Sequence, residues 1–251
     1  MSHSNSIEEK LAVWKQSLVV SIPVGGLHSR NPVAYKWKAP FRVWYLREVV
    51  FWRLQDLLAQ SFGLHTQGFD LGARILLRSG FESVASLIHL NQLMQHVLDG
   101  TLDFHVFGEK TSKLLLGSKN NTSGIESINI MTVLEKCERK YPGIKGLYAD
   151  LSESAHPSYV GLCKGYSKFD RDKDEVKFSN RWCEMYGDTH TSLTEFCMKT
   201  FEHEYDEEWA MIIEKFEVWI EENDTKLEAT KNGAVPQQNS ASNTSRKMTL
   251  K

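Results

Sequence analysis

The sequence predicts an all-α fold: one helical-bundle domain carrying a small β-hairpin insert and a loose C-terminal tail. Three observations carry that prediction. Apolar residues recur at three- and four-residue spacing through most of the chain, which is the helical period. Alternation with a period of two is confined to residues 165–182. No composition break or internal repeat divides residues 1–229, and 251 residues with 41% apolar and 25% charged side chains suffice for one core of ordinary make-up.

The elements follow in order. A first helix fits residues 7–17, and an irregular stretch follows, broken by Pro23, Gly25, Gly26, Pro32 and Pro40. Pro40 suits a helix start, where its missing N–H would have had no partner anyway. Apolar spacing then runs from 41 to 61. A long helix spans 70–98, and Asp99 with Gly100 stops it. Helices at 104–116, 128–140 and 143–154 are separated by a polar loop at 117–124 and by Pro142. Segments 166–169 and 176–178 alternate on either side of the charged turn 170–175, which reads as a hairpin. Residues 191–228 return to helix. The stretch 230–251, rich in Asn, Ser, Thr and Gln, cannot bury enough surface to offset its ordering entropy and is expected to be disordered.

Composition excludes several classes of function. The formal charge of −2 demands neither nucleic acid nor a membrane surface. The longest uncharged stretch, 83–98, has 16 residues and includes His89, Asn91, Gln92, Gln95 and His96, so no membrane span is expected. Nothing at the start of the chain reads as a secretory leader, and the four cysteines form no CxxC pair. A cytoplasmic location with reduced thiols is the expectation. Phosphate-loop, dinucleotide, zinc-protease, serine-hydrolase and zinc-finger spacings are all lacking. Glu82, His89 and His96 share a helix face, but consecutive members lie two turns apart, too far to hold one ion alone. Neither metal nor cofactor is expected.

The small net charge hides two blocks of opposite sign. Residues 28–53 carry Arg30, Lys36, Lys38, Arg42, Arg47 and Arg53 against Glu48, a balance of +5, interleaved with seven aromatic rings. Cations among rings suit nucleic acid, and Lys36, Lys38, Arg42 and Arg47 are the candidate contacts. The plainer reading is an amphipathic segment with its rings inside. Residues 195–222 carry ten acids against Lys199 and Lys215, a balance of −8, on an amphipathic helical pattern. The two blocks suit pairing within the fold or across a homodimer, or the acids form a solvated face.

One polar site stands out. Residues 72–89 are small or apolar on every face except at Arg74, Arg78, Glu82 and His89, the pattern of a central helix. Arg74, Arg78 and Glu82, spaced i, i+4, i+8, form one stripe. Buried charge is costly unless paired, so the stripe is either an ion pair that fixes helix register or a cleft that meets an anion. Far along the chain, Tyr148, Ser152 and His156 share a polar helix face. Pro157 disfavours helical geometry at His156, so the helix should kink there and turn the imidazole toward whatever lies opposite. A histidine so placed is a candidate general acid or base, or is satisfied by a carboxylate such as Glu82.

The run Ala73-Arg-Ile-Leu-Leu-Arg-Ser-Gly-Phe-Glu82, with Leu151-Ser-Glu-Ser-Ala-His-Pro157 downstream and Asn31-Pro-Val-Ala-Tyr-Lys-Trp-Lys-Ala-Pro-Phe-Arg42 upstream, resembles a group of bacterial proteins that look like remote members of the HEPN superfamily. The resemblance covers roughly residues 30–165. It implies a compact helical domain of the kind common in toxin–antitoxin and phage-defence systems. Active HEPN ribonucleases use an Arg separated by four to six intervening residues from a later His, usually across a dimer interface. Here Leu151, Asp150 and Ala149 stand at those distances before His156, so the arginine is missing. The resemblance then implies a non-catalytic component that binds nucleic acid or a protein partner. The alternatives are a metal-independent ribonuclease using His156 with Arg78 and Glu82, supported by Arg74, Ser152 and Tyr148, or a structural helical dimer.

Overall fold

The computed structural model describes residues 2–231 apart from Asn121. Ten α-helices, two π-helical segments and one two-stranded hairpin make up the described chain, an all-α fold. Among these residues no helix is long and apolar enough to cross a membrane. The tail expected to be disordered falls outside the described residues from 232 onward, and Thr230 still belongs to the last helix.

Helix α1 (Ser2–Ser17) buries Ile7, Leu11 and Trp14 on one face. Where the sequence reads as irregular, two short helices form, α2 (Val24–Arg30) and α3 (Pro32–Tyr35). They are too short to show an apolar period. Asn31 caps α3, its Oδ1 accepting from Ala34 N at 2.8 Å, and Pro32 occupies the first turn.

Helices α4 (Lys38–Thr66) and α5 (Asp70–Leu98) form the central antiparallel pair, joined by a tight turn in which Gly68 takes φ +79°. A Cβ on Gly80 would sit 3.2 Å from Leu58 Cδ2 and 3.5 Å from Leu54 Cδ1, so the glycine allows the two helices to close. Around α5 pack α4, α6 (Phe104–Leu116), α7 (Ile130–Cys137), α8 (Ile144–Ala155) and the C-terminal helices. That encirclement explains why its sequence is apolar all round. Asp103 and Asn129 cap α6 and α7 through their side-chain oxygens.

After α8 the backbone turns extended at His156 (φ −100°, ψ 147°), the break that Pro157 imposes. The chain then makes a π-helical turn, Tyr159–Lys164. A Cβ on Gly161 would lie 2.0 Å from the His156 carbonyl oxygen, so this turn closes on a residue without one. The hairpin follows, β1 (Ser167–Asp170) against β2 (Glu175–Phe178), in register Ser167–Phe178 and Phe169–Val176.

Helix α9 (Trp182–Glu202) begins nine residues before the expected start at 191. Gly187, Thr189 and Thr191 weaken the local helical signal, while the buried indole of Trp182, stacked on Tyr186, anchors the first turn. A π-helical segment, His203–Glu208, joins α9 to α10 (Trp209–Thr230) with right-handed helical dihedrals at both junctions. The looser turn leaves carbonyls for side chains of other helices. Asn91 Nδ2 donates to Glu204 O at 3.0 Å, and Arg47 Nη2 to Tyr205 O at 3.2 Å.

Candidate functional site

Arg78 and Glu82 lie one turn apart on α5 and meet α8. Arg78 Nε donates to Ser152 Oγ at 2.9 Å, and Arg78 Nη2 donates to Tyr148 OH at 2.6 Å while standing 3.2 Å from Glu82 Oε1. The same phenol donates to Glu82 Oε1 at 2.8 Å, which closes the quartet. Burial and then the Glu82 hydrogen bond push the Tyr148 pKa up, so the phenol stays protonated and keeps donating. Both charged side chains are half-buried.

Arg74, one turn earlier, is fully buried and serves the packing. Its Nε donates to Ser154 Oγ at 2.7 Å, its Nη2 pairs with Asp150 Oδ2 at 2.6 Å, and its guanidinium lies 3.7 Å from the Tyr186 ring centroid. Arg74 therefore ties α5 to α8 and α9 at once. His156 is not part of this arrangement. It is exposed beyond the end of α8 and makes no hydrogen bond or ion pair with Arg78 or Glu82 among the described residues.

Arg78 and Glu82 do face space. They line a groove of about 410 Å³ between α4, α5, the end of α6 and the start of α7. Leu90, Leu114, Ile128 and Ile130 supply apolar wall, and Arg53 and Lys119 add charge. Arg78 Nη1 and Glu82 Oε2 have no hydrogen-bond partner among the described residues, whereas the hydroxyls of Ser83 and Ser86 donate to carbonyls of their own helix. A second groove of about 410 Å³ lies between α4 and α6, lined by Lys38, Arg42 and Trp37 with His105, Glu109, Ser112 and Lys231. Arg42, Leu46, Val49 and Arg53 share one face of α4 and run from the second groove into the first.

The basic block meets acids of the last helix, within the 195–222 block and just beyond it, inside the molecule. Lys36 Nζ pairs with Asp224 Oδ2 at 2.7 Å and Glu228 Oε1 at 3.1 Å, and hydrogen bonding to Asp224 raises its pKa. Arg30 pairs with Glu217, whose carboxylate also accepts from the buried Tyr35 phenol. Arg47 is nearly buried, paired with Glu48 and laid over the Tyr205 ring at 3.4 Å. Lys36 and Arg47 are thus committed within the fold. Lys38 and Arg53 are exposed and have no ion pair among the described residues, and Arg42 spends one nitrogen on Gly108 O at 3.0 Å. Comparison with protein-family models, curated proteins and solved structures finds no match.

Two features escape a reading of the sequence. Arg53 and Lys119 become notable once α4 and the loop after α6 are seen to flank one groove. A polar cluster of Ser61, His65, Asp70 and His190 also forms where α4, α5 and α9 meet: His65 Nδ1 lies 2.6 Å from Asp70 Oδ1, and His190 Nε2 lies 3.2 Å from Ser61 Oγ. Only the i, i+4 spacing of Ser61 and His65 hints at it. Burial, then the nearby His65, lowers the His190 pKa to about 4.

Proposed function

We propose that this chain is a HEPN-like cytoplasmic protein that binds single-stranded nucleic acid without cleaving it. The observation that supports the reading best is the line of cations without an ion pair among the described residues along the α4–α6 seam: Lys38 and Arg42 at one end, near Glu109, and Arg53 and Lys119 at the other. From residue 38 to residue 53 the helix rises by about 22 Å, which is several nucleotides of extended strand. Charge nearby reinforces the line. Burial and then repulsion from Lys110 lower the Lys136 pKa, so these two lysines of α6 and α7 act on each other as like charges. Apolar wall between the two ends offers unstacked bases a surface, which favours a single strand over a duplex. That His156 makes no contact with the Arg78–Glu82 pair among the described residues, and does not line their groove, favours binding over catalysis. The resemblance to HEPN proteins supports a place among defence or toxin–antitoxin components.

The test is the salt dependence of binding to a short unstructured RNA. Wild type should bind at low salt, with affinity falling steeply as salt rises. Lys38→Ala with Arg42→Ala and Arg53→Ala should weaken binding by more than about tenfold and reduce the salt slope by roughly one per cation removed. Equal binding by wild type and a folded triple variant, or no binding by either, overturns the proposal.

A further inference from the structure

We infer that the groove around Arg78 and Glu82 is a nucleobase pocket that reads guanine. The inference rests on the nucleic-acid reading for its choice of a nucleotide as ligand, and it adds what that ligand must look like. Three features of the groove argue for it.

The first is a fixed donor–acceptor pair. Ser152 holds Arg78 by Nε, and Tyr148 holds Arg78 by Nη2 and Glu82 by Oε1, leaving Nη1 and Oε2 as the unspent atoms of the quartet among the described residues. A ligand therefore meets a charged donor beside a charged acceptor whose positions are already set. Such preorganisation lowers the ordering cost of binding.

The second is that competing polar groups on the same wall are silent. Ser83 and Ser86 lie on the groove, but each hydroxyl donates to a backbone carbonyl four residues earlier, Ser79 O and Glu82 O. The recognition chemistry thus falls to Arg78 and Glu82.

The third is shape and surroundings. About 410 Å³ accommodates a purine with part of its sugar. Leu90, Ile128 and Ile130 give the groove an apolar wall for the ring, and Arg53 and Lys119 on the same groove supply counter-charge for a 5′-phosphate.

Among the bases, guanine alone presents a carbonyl oxygen followed by two adjacent N–H donors on its Watson–Crick edge. Arg78 Nη1 donates to O6, and Glu82 Oε2 accepts from N1–H and N2–H. Hydrogen bonds with a charged partner are about twice as strong as neutral ones, and guanine makes the most of them here. Adenine and cytosine offer one N–H beside a ring nitrogen whose lone pair opposes the carboxylate, and uracil lacks the second donor.

The experiment measures binding of GMP, IMP, AMP, UMP and guanosine to the full chain by calorimetry, beside inorganic phosphate alone. GMP should bind at least about tenfold more tightly than AMP or UMP, with IMP, which lacks the 2-amino group, in between. Guanosine should keep the preference with weaker affinity. Glu82→Gln, shown to melt like wild type, should erase it, because the amide presents a donor where guanine also donates. An oligo(A) strand with one central G, compared with oligo(A), tells a base within a strand from a free nucleotide: a G-dependent gain places the pocket on the strand, and a preference confined to GMP makes it a mononucleotide site. Equal affinities for all nucleotides, binding matched by phosphate, or a preference that survives Glu82→Gln overturns the inference. RNA binding that depends on Lys38 and Arg42 but ignores base identity sinks this inference while leaving the proposed function standing.

Discussion

Arg74 and Arg78 leave α5 one turn apart toward the same helix, yet their surroundings give them opposite roles. Arg74 has no exposed surface, so removing it strands the buried Ser154 hydroxyl on α8 and leaves a void against the Tyr186 ring of α9. Arg74→Ala should cost about 3 kcal/mol in urea denaturation, and Arg78→Ala, at the groove wall, about 1 kcal/mol or less. Equal losses would contradict the division. Two histidines predict the pH response. Burial lowers the pKa of His89 and His190 to about 4 from the ordinary 6.5, with Lys136 adding to the effect at His89 and His65 at His190. The unfolded chain therefore takes up these protons first as pH falls. Stability is fully present above about 6.5 and declines toward about 4, by up to roughly 3 kcal/mol per histidine. The urea midpoint should fall between pH 7.5 and pH 5, and His190→Asn should flatten the fall. At this scale the Arg74–Arg78–Glu82 stripe was readable from its four-residue spacing, and Tyr148 and Ser152 from theirs. His156 was not, because Pro157 dictates that the helix breaks but not which way the next residue leaves.

Helix α9, the His203–Glu208 turn and α10 carry one run of buried residues, among them Phe201, Tyr205, Trp209, Ile212 and Phe216, along one stretch of backbone. The π turn sets the phase of that run. Deleting Asp206, an exposed residue of the turn, should restore ordinary α geometry and rotate α10 by about 100° against α9. Ile212, Phe216 and Ile220 would then leave the core. The expected outcome is loss of a cooperative thermal transition, read by circular dichroism, and a native-like melt would deny the turn that role. Long helices with strong period and clear stops, such as α5 and α6, were readable to the residue. Helices α2 and α3 and the start of α9 were not. Their order comes from partners elsewhere in the chain, such as the acids of α10 on Arg30 and Lys36.

At the scale of the molecule, the +5 block is met within one chain by acids of the last helix: Arg30 pairs with Glu217 of the −8 block, and Lys36 with Asp224 and Glu228 just beyond it. The sequence revealed both blocks but left open whether they meet in cis or between copies, since charge pattern carries no information on distance. What remains uncompensated defines the α4–α6 seam. Because α5 touches elements from both halves of the chain, no lobe should unfold alone. Unfolding curves from tryptophan fluorescence and far-ultraviolet circular dichroism should superimpose, and separate midpoints would argue for a second cooperative unit.

The clamp on the π turn carries one more consequence. Residues 182–230 follow a continuous helical path of about 70 Å at 1.5 Å per residue, with the hairpin near one end and Lys231, on the rim of the basic groove, just past the other. An unrestrained rod of that length transmits torque from tip to tip. Here Asn91 and Arg47 grip the backbone near its middle, from α5 and α4. A twist applied at the hairpin should therefore be grounded in the core before it reaches the groove, and the two ends should respond independently despite lying on one helical path.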